Sequence, residues 1–213
     1  MLAPTSYTRK SRRCVRAFTL IEILLVIAVI AVLASITFGV SRGIQSAQNR
    51  TRAKSEMALL AQSIEQFKMR RGDYPWTDPV IEDGGETLLK ALLGWKVFKR
   101  TDGSSDFVDL TNIPTGGPDA FIDTAQFKVA GIEDANAGLP SDNTTLPEGL
   151  VFIDPWGQPY VYQYKETGAW ENFGFILYSS GPDGQHLAVD SDGVITREIR
   201  NSEKNADNIY LGE

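Results

Sequence analysis

The sequence predicts an α+β chain: one long N-terminal helix packed on a small antiparallel β-sheet with long loops. Three observations carry that prediction. No proline occurs between Phe18 and Tyr74, and helix-favouring residues dominate 53–71. Gly72-Asp73-Tyr74-Pro75 then supplies a helix stop. Beyond it, runs at 159–164 and 173–178 carry the aromatic and β-branched residues that suit strands.

At 213 residues the chain is long enough for one or two domains with a real core. Its charge is divided. The first 17 residues hold Arg9, Lys10, Arg12, Arg13 and Arg16 and no acid, while the remainder carries 16 basic and 27 acidic residues, a net of −11. An acidic body of this kind argues against nucleic-acid binding. It suits an exported domain and leaves carboxylates free for a hard cation. The single cysteine, Cys14, lies in the basic leader, so no disulfide within one chain holds the fold. Ser11, Arg12 and Arg13 precede it where a lipid-anchor signal needs small apolar residues.

The apolar run begins at the leader's end. Residues 23–40 are 18 positions broken only by Ser35, Thr37 and Gly39. As a helix they cover about 27 Å, enough to cross a bilayer core. The basic leader places its start in the cytoplasm, although Arg42, Arg50, Arg52 and Lys54 follow on the far side. Glu22 stands at the head of this run, where a carboxylate costs roughly 3 kcal/mol on insertion scales. A cleavable secretory signal cut after Val32-Leu33-Ala34 and a plain membrane anchor are both open readings of the run. Neither accounts for Glu22.

The string Arg16-Ala17-Phe18-Thr19-Leu20-Ile21-Glu22 resembles the processing signal of type IV pilins and pseudopilins. The resemblance implies that a prepilin peptidase cuts between Ala17 and Phe18 and methylates the new amine of Phe18, and that the apolar segment is kept. Residues 1–17 are then a removed leader and 18–40 a membrane segment, with Glu22 at mature position five. The residue before the cut is commonly glycine in that family and is Ala17 here. The resemblance also implies that Glu22 meets the N-terminus of a neighbouring subunit in a growing filament. A hydrogen-bonded opposite pair offsets much of the cost of two charges in an apolar zone.

The helical pattern continues past the membrane. Ile44, Ala47, Met57, Leu60, Ala61, Ile64 and Phe67 recur at spacings of three and four, with a polar interval between. A continuous helix over 18–71 would run about 80 Å, with a second half that packs one stripe on a globular head. Gly39 falls at mature position 22, where the family often has a kinking proline. It would serve either local melting or close helix packing.

In the head, 72–213, a short helix is expected at 87–93, ending at Gly94. Residues 95–150 are rich in turn formers and read as a loop-rich insertion, with short strands at 126–129 and 149–153. Strands at 159–164 and 173–178 flank Thr167-Gly168-Ala169 as an antiparallel hairpin. The blocks Gln66-Phe67-Lys68, Gly72-Asp73-Tyr74-Pro75, Asp154-Pro155-Trp156-Gly157-Gln158-Pro159-Tyr160 and Tyr178-Ser179-Ser180-Gly181-Pro182-Asp183-Gly184 are similar to the major pseudopilins of type II secretion systems. The likeness covers the first 94 residues and 147 to about 210, and 95–150 departs from it.

The C-terminal segment is rich in oxygen ligands. In the major pseudopilins loop carbonyls and aspartates hold a calcium ion, and Asp183 and Asp207 match that pattern by position. Two carboxylates with carbonyls meet calcium's need for six to eight oxygens. Asp190 and Asp192, in Asp190-Ser191-Asp192-Gly193, are a second candidate resembling part of an EF-hand loop. A solvated acidic tail with tight turns is the alternative.

No catalytic constellation accompanies these features. His186 is the only histidine and follows a turn glycine, and no phosphate loop, dinucleotide fingerprint or zinc spacing is present. Trp76, Trp95, Trp156 and Trp170 suit packing better than a sugar-binding surface. An enzyme is not expected. The resemblance implies a structural subunit of the bacterial inner membrane, single-pass, with its N-terminus cytoplasmic and its head periplasmic. Its partners would be copies of itself, the prepilin peptidase, minor pseudopilins and the inner-membrane secretion platform, with calcium as the one implied cofactor. A type IV or competence pilin, and a membrane-anchored binding domain that never polymerises, are the alternatives.

Overall fold

The computed structural model describes residues 19–77, 84–101, 104–115, 117–141, 144–165, 170–190 and 192–212, with the side chains of 36–43, 101 and 104 left out. Helix α1 is Leu20–Arg71. It stops where the sequence places the stop: Gly72 adopts φ +97°, open to glycine at no steric cost, and its N–H donates to the Lys68 carbonyl at 2.7 Å. The chain divides into two units, 1–45 and 46–213.

In the first unit the side chains from Leu20 to Leu33 are uncovered, with the large apolar ones 47–82 % exposed. Among the described residues no helix is long and apolar enough to cross a membrane. Of the expected span, 18–40, Phe18 lies outside the described residues, as do the side chains of 36–40.

The second unit is organised by one stripe of α1. Ala53, Met57, Leu60, Ile64 and Phe67 recur every three or four residues and are at most 1 % exposed. Ile44 and Ala47, expected in the same stripe, are exposed instead, because the head's core begins at Ala53. Helix α2, Gly84–Leu92, starts earlier than expected and buries Leu88, Leu89 and Leu92 in the same core.

Three small antiparallel sheets complete the unit. Strands β1, Lys96–Thr101, and β2, Ser104–Asp109, form a hairpin within the segment expected to be loop-rich. Its cross-strand pair Phe98 and Phe107 lies against Phe67, at ring-centroid distances of 6.1 and 6.0 Å. Strands β3, Lys128–Gly131, and β4, Leu150–Ile153, pair with Val129 opposite Phe152. Strands β5, Tyr160–Gln163, β6, Ile176–Ser179, and β7, Ile209–Tyr210, pair in that order. The strand expected over 173–178 begins only at Ile176, since 172–174 form a turn. A short helix α3, Arg197–Arg200, precedes β7.

Two carboxylates tie α1 to β5. Glu56, 5 % exposed, accepts from Arg52 Nε and from Tyr160 Oη, both at 2.7 Å, so each oxygen of a buried charge is satisfied. Burial, with the hydrogen bond to Glu56, raises the Tyr160 phenol far above its ordinary value and keeps it a donor. Asp73, just beyond α1, accepts from Tyr164 Oη at 2.8 Å, the Tyr74 N–H at 2.9 Å, Trp76 Nε1 at 3.0 Å and Lys165 Nζ at 3.2 Å. None of the four tryptophans is exposed, in keeping with a packing role.

Burial works to raise the Asp73 carboxyl, but its hydrogen bonds outweigh burial and hold it below its ordinary value of 3.8. A depressed carboxyl stabilises the fold above its unfolded value and loses that contribution as pH falls through the folded value. Asp73→Asn is therefore expected to destabilise the head by about 2 kcal/mol at pH 7. Its denaturant midpoint should converge on that of the parent chain as pH drops below the ordinary 3.8.

Candidate assembly and cation sites

The first site is the start of α1. Thr19 is its N-cap: the Glu22 N–H donates to the Thr19 carbonyl at 3.1 Å and to Thr19 Oγ1 at 3.3 Å. Thr19-Leu20-Ile21-Glu22 is thus a capping-box sequence, a further signal that the chain carries at Glu22 beside the pairing implied for it. Capping places the Glu22 carboxylate in the first turn, where the helix dipole favours a negative group. Glu22 is exposed and no described side chain is paired with it. Ala17 and Phe18 lie outside the described residues. The local arrangement is a carboxylate in the first turn of a helix whose apolar side chains are uncovered from Leu20 to Leu33.

The second site is assembled by strand pairing. Ser179 on β6 faces Ile209 on β7, which brings the loop after β6 against the chain before β7. Gly181 lies so close to Asp207 that an added Cβ would sit 2.6 Å from its carbonyl oxygen and 3.2 Å from Cγ. The Asn208 amide lies 3.3 Å from the Ser180 carbonyl oxygen and 3.2 Å from that of Gln185, and hydrogen-bonds both when its nitrogen faces them. Asn205, 3 % exposed, accepts from the Leu187 N–H at 2.8 Å and donates to the Ile199 carbonyl at 2.7 Å, closing the loop from the other side.

This loop hangs on a buried carboxylate. Asp154 accepts at Oδ1 from the N–H groups of Trp156 (2.9 Å) and Gln158 (2.8 Å), and at Oδ2 from Ser179 Oγ at 2.5 Å. Ser179 Oγ in turn accepts from the Gly181 N–H at 3.1 Å. Burial raises the Asp154 carboxyl above its ordinary value despite those donors.

Of the predicted ligands, the structure joins Asp207 to the loop that contains Asp183. The Asp183 carboxylate accepts from the Gln185 N–H at 2.9 Å and is exposed. Asp190 and Asp192 go elsewhere. Gly193 donates to the Asp190 carbonyl at 2.8 Å and Val194 donates to Asp192 Oδ1 at 2.9 Å, a tight turn docked on Glu171. Among the described residues no three His, Cys, Asp or Glu side chains converge in a way that could hold a metal ion. A cation here would lean on the carbonyls of Ser180 and Gln185 and on Asn208, donors that composition does not reveal. His186 is a surface residue with its ring against Tyr178, 5.6 Å between centroids.

Residues 12–38 match the family described as the prokaryotic N-terminal methylation motif. The chain is 26 % identical over 184 residues to type II secretion system core protein G of Pseudomonas aeruginosa, spanning 86 % of this chain and 95 % of that protein. It is 28 % identical over 171 residues to type II secretion system core protein G of Escherichia coli, spanning 80 % and 83 %. No solved structure matches the chain.

Ser179→Ala orphans one Asp154 oxygen and the Gly181 N–H in a site where Ser179 is fully buried. The expected loss is about 2 kcal/mol of stability, read as a lower denaturant midpoint.

Proposed function

We propose that this chain, a pseudopilin similar to type II secretion system core protein G, is a subunit that assembles through α1 into the periplasmic pseudopilus of such a system. The observation that carries the reading is the first unit itself. An apolar helix with its described side chains exposed from Leu20 to Leu33, capped by Thr19 and headed by Glu22, lies within the segment that matches the methylation motif. Such a surface has no partner among the described residues, and bundling with membrane lipid and then with other copies would cover it.

Processing between Ala17 and Phe18 would free a positive amine beside the apolar run. Pairing of that amine with Glu22 of a neighbouring copy rewards correct axial register, since an unpaired copy leaves both charges desolvated. Before assembly the chain would sit in the inner membrane in a single pass, leader in the cytoplasm and head in the periplasm, as the basic leader favours. It acts as a building block rather than a catalyst, alongside the peptidase, minor pseudopilins and an inner-membrane platform. Glu22→Ala is expected to leave the size shift on processing intact and to abolish filaments seen by electron microscopy. Glu22→Gln should do the same if charge is what matters, and normal filaments from either variant contradict the role.

Calcium fits the loop after β6. The carbonyl oxygens of Ser180 and Gln185 lie 3.3 and 3.2 Å from the Asn208 amide, and a bound ion would draw those carbonyls to itself in place of the amide nitrogen. Asp207 would supply the charge, with the carbonyls of Ser180 and Gln185 and the rim carboxylate of Asp183. The ion would fasten a segment with little core of its own. Addition of calcium to a soluble form from Arg42 onward should raise its melting temperature, chelator should reverse the rise, and Asp207→Ala should remove it. An unchanged melting temperature rejects the site.

A further inference from the structure

We propose that Phe173 anchors a contact between successive copies of this chain, seated against Met69 at the basic end of α1 in the next copy. The inference rests on the filament reading above and adds to it a contact between heads.

Phe173 is 104 % exposed and is the one aromatic among the large exposed hydrophobics of the described residues. Scattered exposed apolar side chains are ordinary, but this one stands on a braced support. Trp170 Nε1 donates to the Gly174 carbonyl at 3.0 Å, and the Gly174 N–H donates to Asn172 Oδ1 at 3.2 Å. Asn172 Nδ2 donates to the Gly193 carbonyl at 3.3 Å, and the Glu171 N–H donates to the Asp192 carbonyl at 2.7 Å. Gly193 lies flat on the Trp170 ring, where an added Cβ would come within 2.7 Å of three ring atoms. The turn of Asp190 and Asp192 is therefore a buttress for the Phe173 tip. Ordering that tip before binding removes the entropy cost that a loose loop would carry into a contact.

Charge selects the occupant. Glu171 and Asp190, both exposed, and Asp192 lie in the two segments that form and brace the tip. A matching partner has an exposed apolar spot set among bases, and this chain carries one. Met69, 77 % exposed, sits among Lys68, Arg70 and Arg71 in the last turn of α1. Arg70 and Arg71 lie over the Phe121 ring at 5.5 and 5.8 Å, and Lys68 over that of Tyr74 at 3.9 Å. No described acid forms an ion pair with any of the three. The thioether of methionine is a good neighbour for an aromatic ring.

Phe173 and Met69 are both uncovered in the one chain, so neither satisfies the other there. Two different patches that fit each other between copies make a heterologous contact, which propagates into an open helical assembly. With a net of −11 on the chain after its leader, copies repel in general, and a local pairing of opposite charge sets where they meet.

The test uses full-length chains in a host that supplies the peptidase and secretion platform, all carrying Cys14→Ser. Phe173→Cys and Met69→Cys chains are co-expressed, assembled and treated with a mild oxidant. A disulfide-linked dimer is expected from the mixture and not from either chain alone. Phe173→Ala is expected to cut assembled material several-fold while leaving the melting temperature of the head unchanged, because its side chain has no contact to lose. Filaments without the mixed dimer, or Phe173→Cys joined to a different protein, overturn the contact and leave the filament reading standing. If the Cys14→Ser chain itself forms no filaments, the filament reading fails and the contact falls with it.

Discussion

The head depends on a single stripe of side chains, Ala53, Met57, Leu60, Ile64 and Phe67, buried along one face of α1. Its sheets have two, two and three strands, and isolated two-stranded ribbons are marginal in water. Each gains a hydrophobic floor by contributing to the core that this stripe organises, through Phe98 and Phe107, Leu150 and Phe152, and Tyr160 and Tyr162. The polar fastenings follow the same line: Glu56 binds Tyr160 from within the helix, and Asp73 binds Tyr164 from just past its end. A helix in water draws most of its stability from such packing rather than from propensity.

The same helix carries an opposite chemistry in its first unit. From Leu20 to Leu33 its apolar side chains are uncovered. One half of α1 is finished by its own chain, and on the proposed reading the other is completed by lipid or by other copies. That division explains why Glu22 is tolerable. The Thr19 cap and the helix dipole steady its carboxylate, and an amine from a processed neighbour would complete its pairing. The oxygen-rich loop after β6 solves a different problem, which is how residues 180–208, with few apolar side chains, remain attached to β6 and β7.

Much of this was legible in the residues. The period of α1 and its stop at Gly72 are local signals, and the helix boundaries follow them. The stripe was overextended to Ile44 and Ala47 because periodicity does not say where a head begins. The β1–β2 hairpin leaves little trace in the residues because each strand carries one aromatic, Phe98 or Phe107, with a valine directly beside it, so no apolar–polar alternation stands out. Phe173 was read as the first residue of a strand on hydrophobicity alone, whereas Asn172 turns the chain there. The loop after β6 was legible only as acidity. Which acids lie together depends on the pairing of Ser179 with Ile209, 30 positions apart, and that pairing separates Asp207 from Asp190 and Asp192. Asn208 and the carbonyls of Ser180 and Gln185 leave no compositional trace at all.

The central claim is that the buried half of α1 is a part of the head's core rather than a stalk that leads to it. The direct measurement compares urea unfolding of two soluble forms, one of residues 46–213 and one of 72–213, by near-ultraviolet circular dichroism. The first should unfold in one cooperative transition, and the second should show no fixed aromatic signal and no transition. A cooperative transition of equal midpoint from the form that begins at Gly72 would contradict the account.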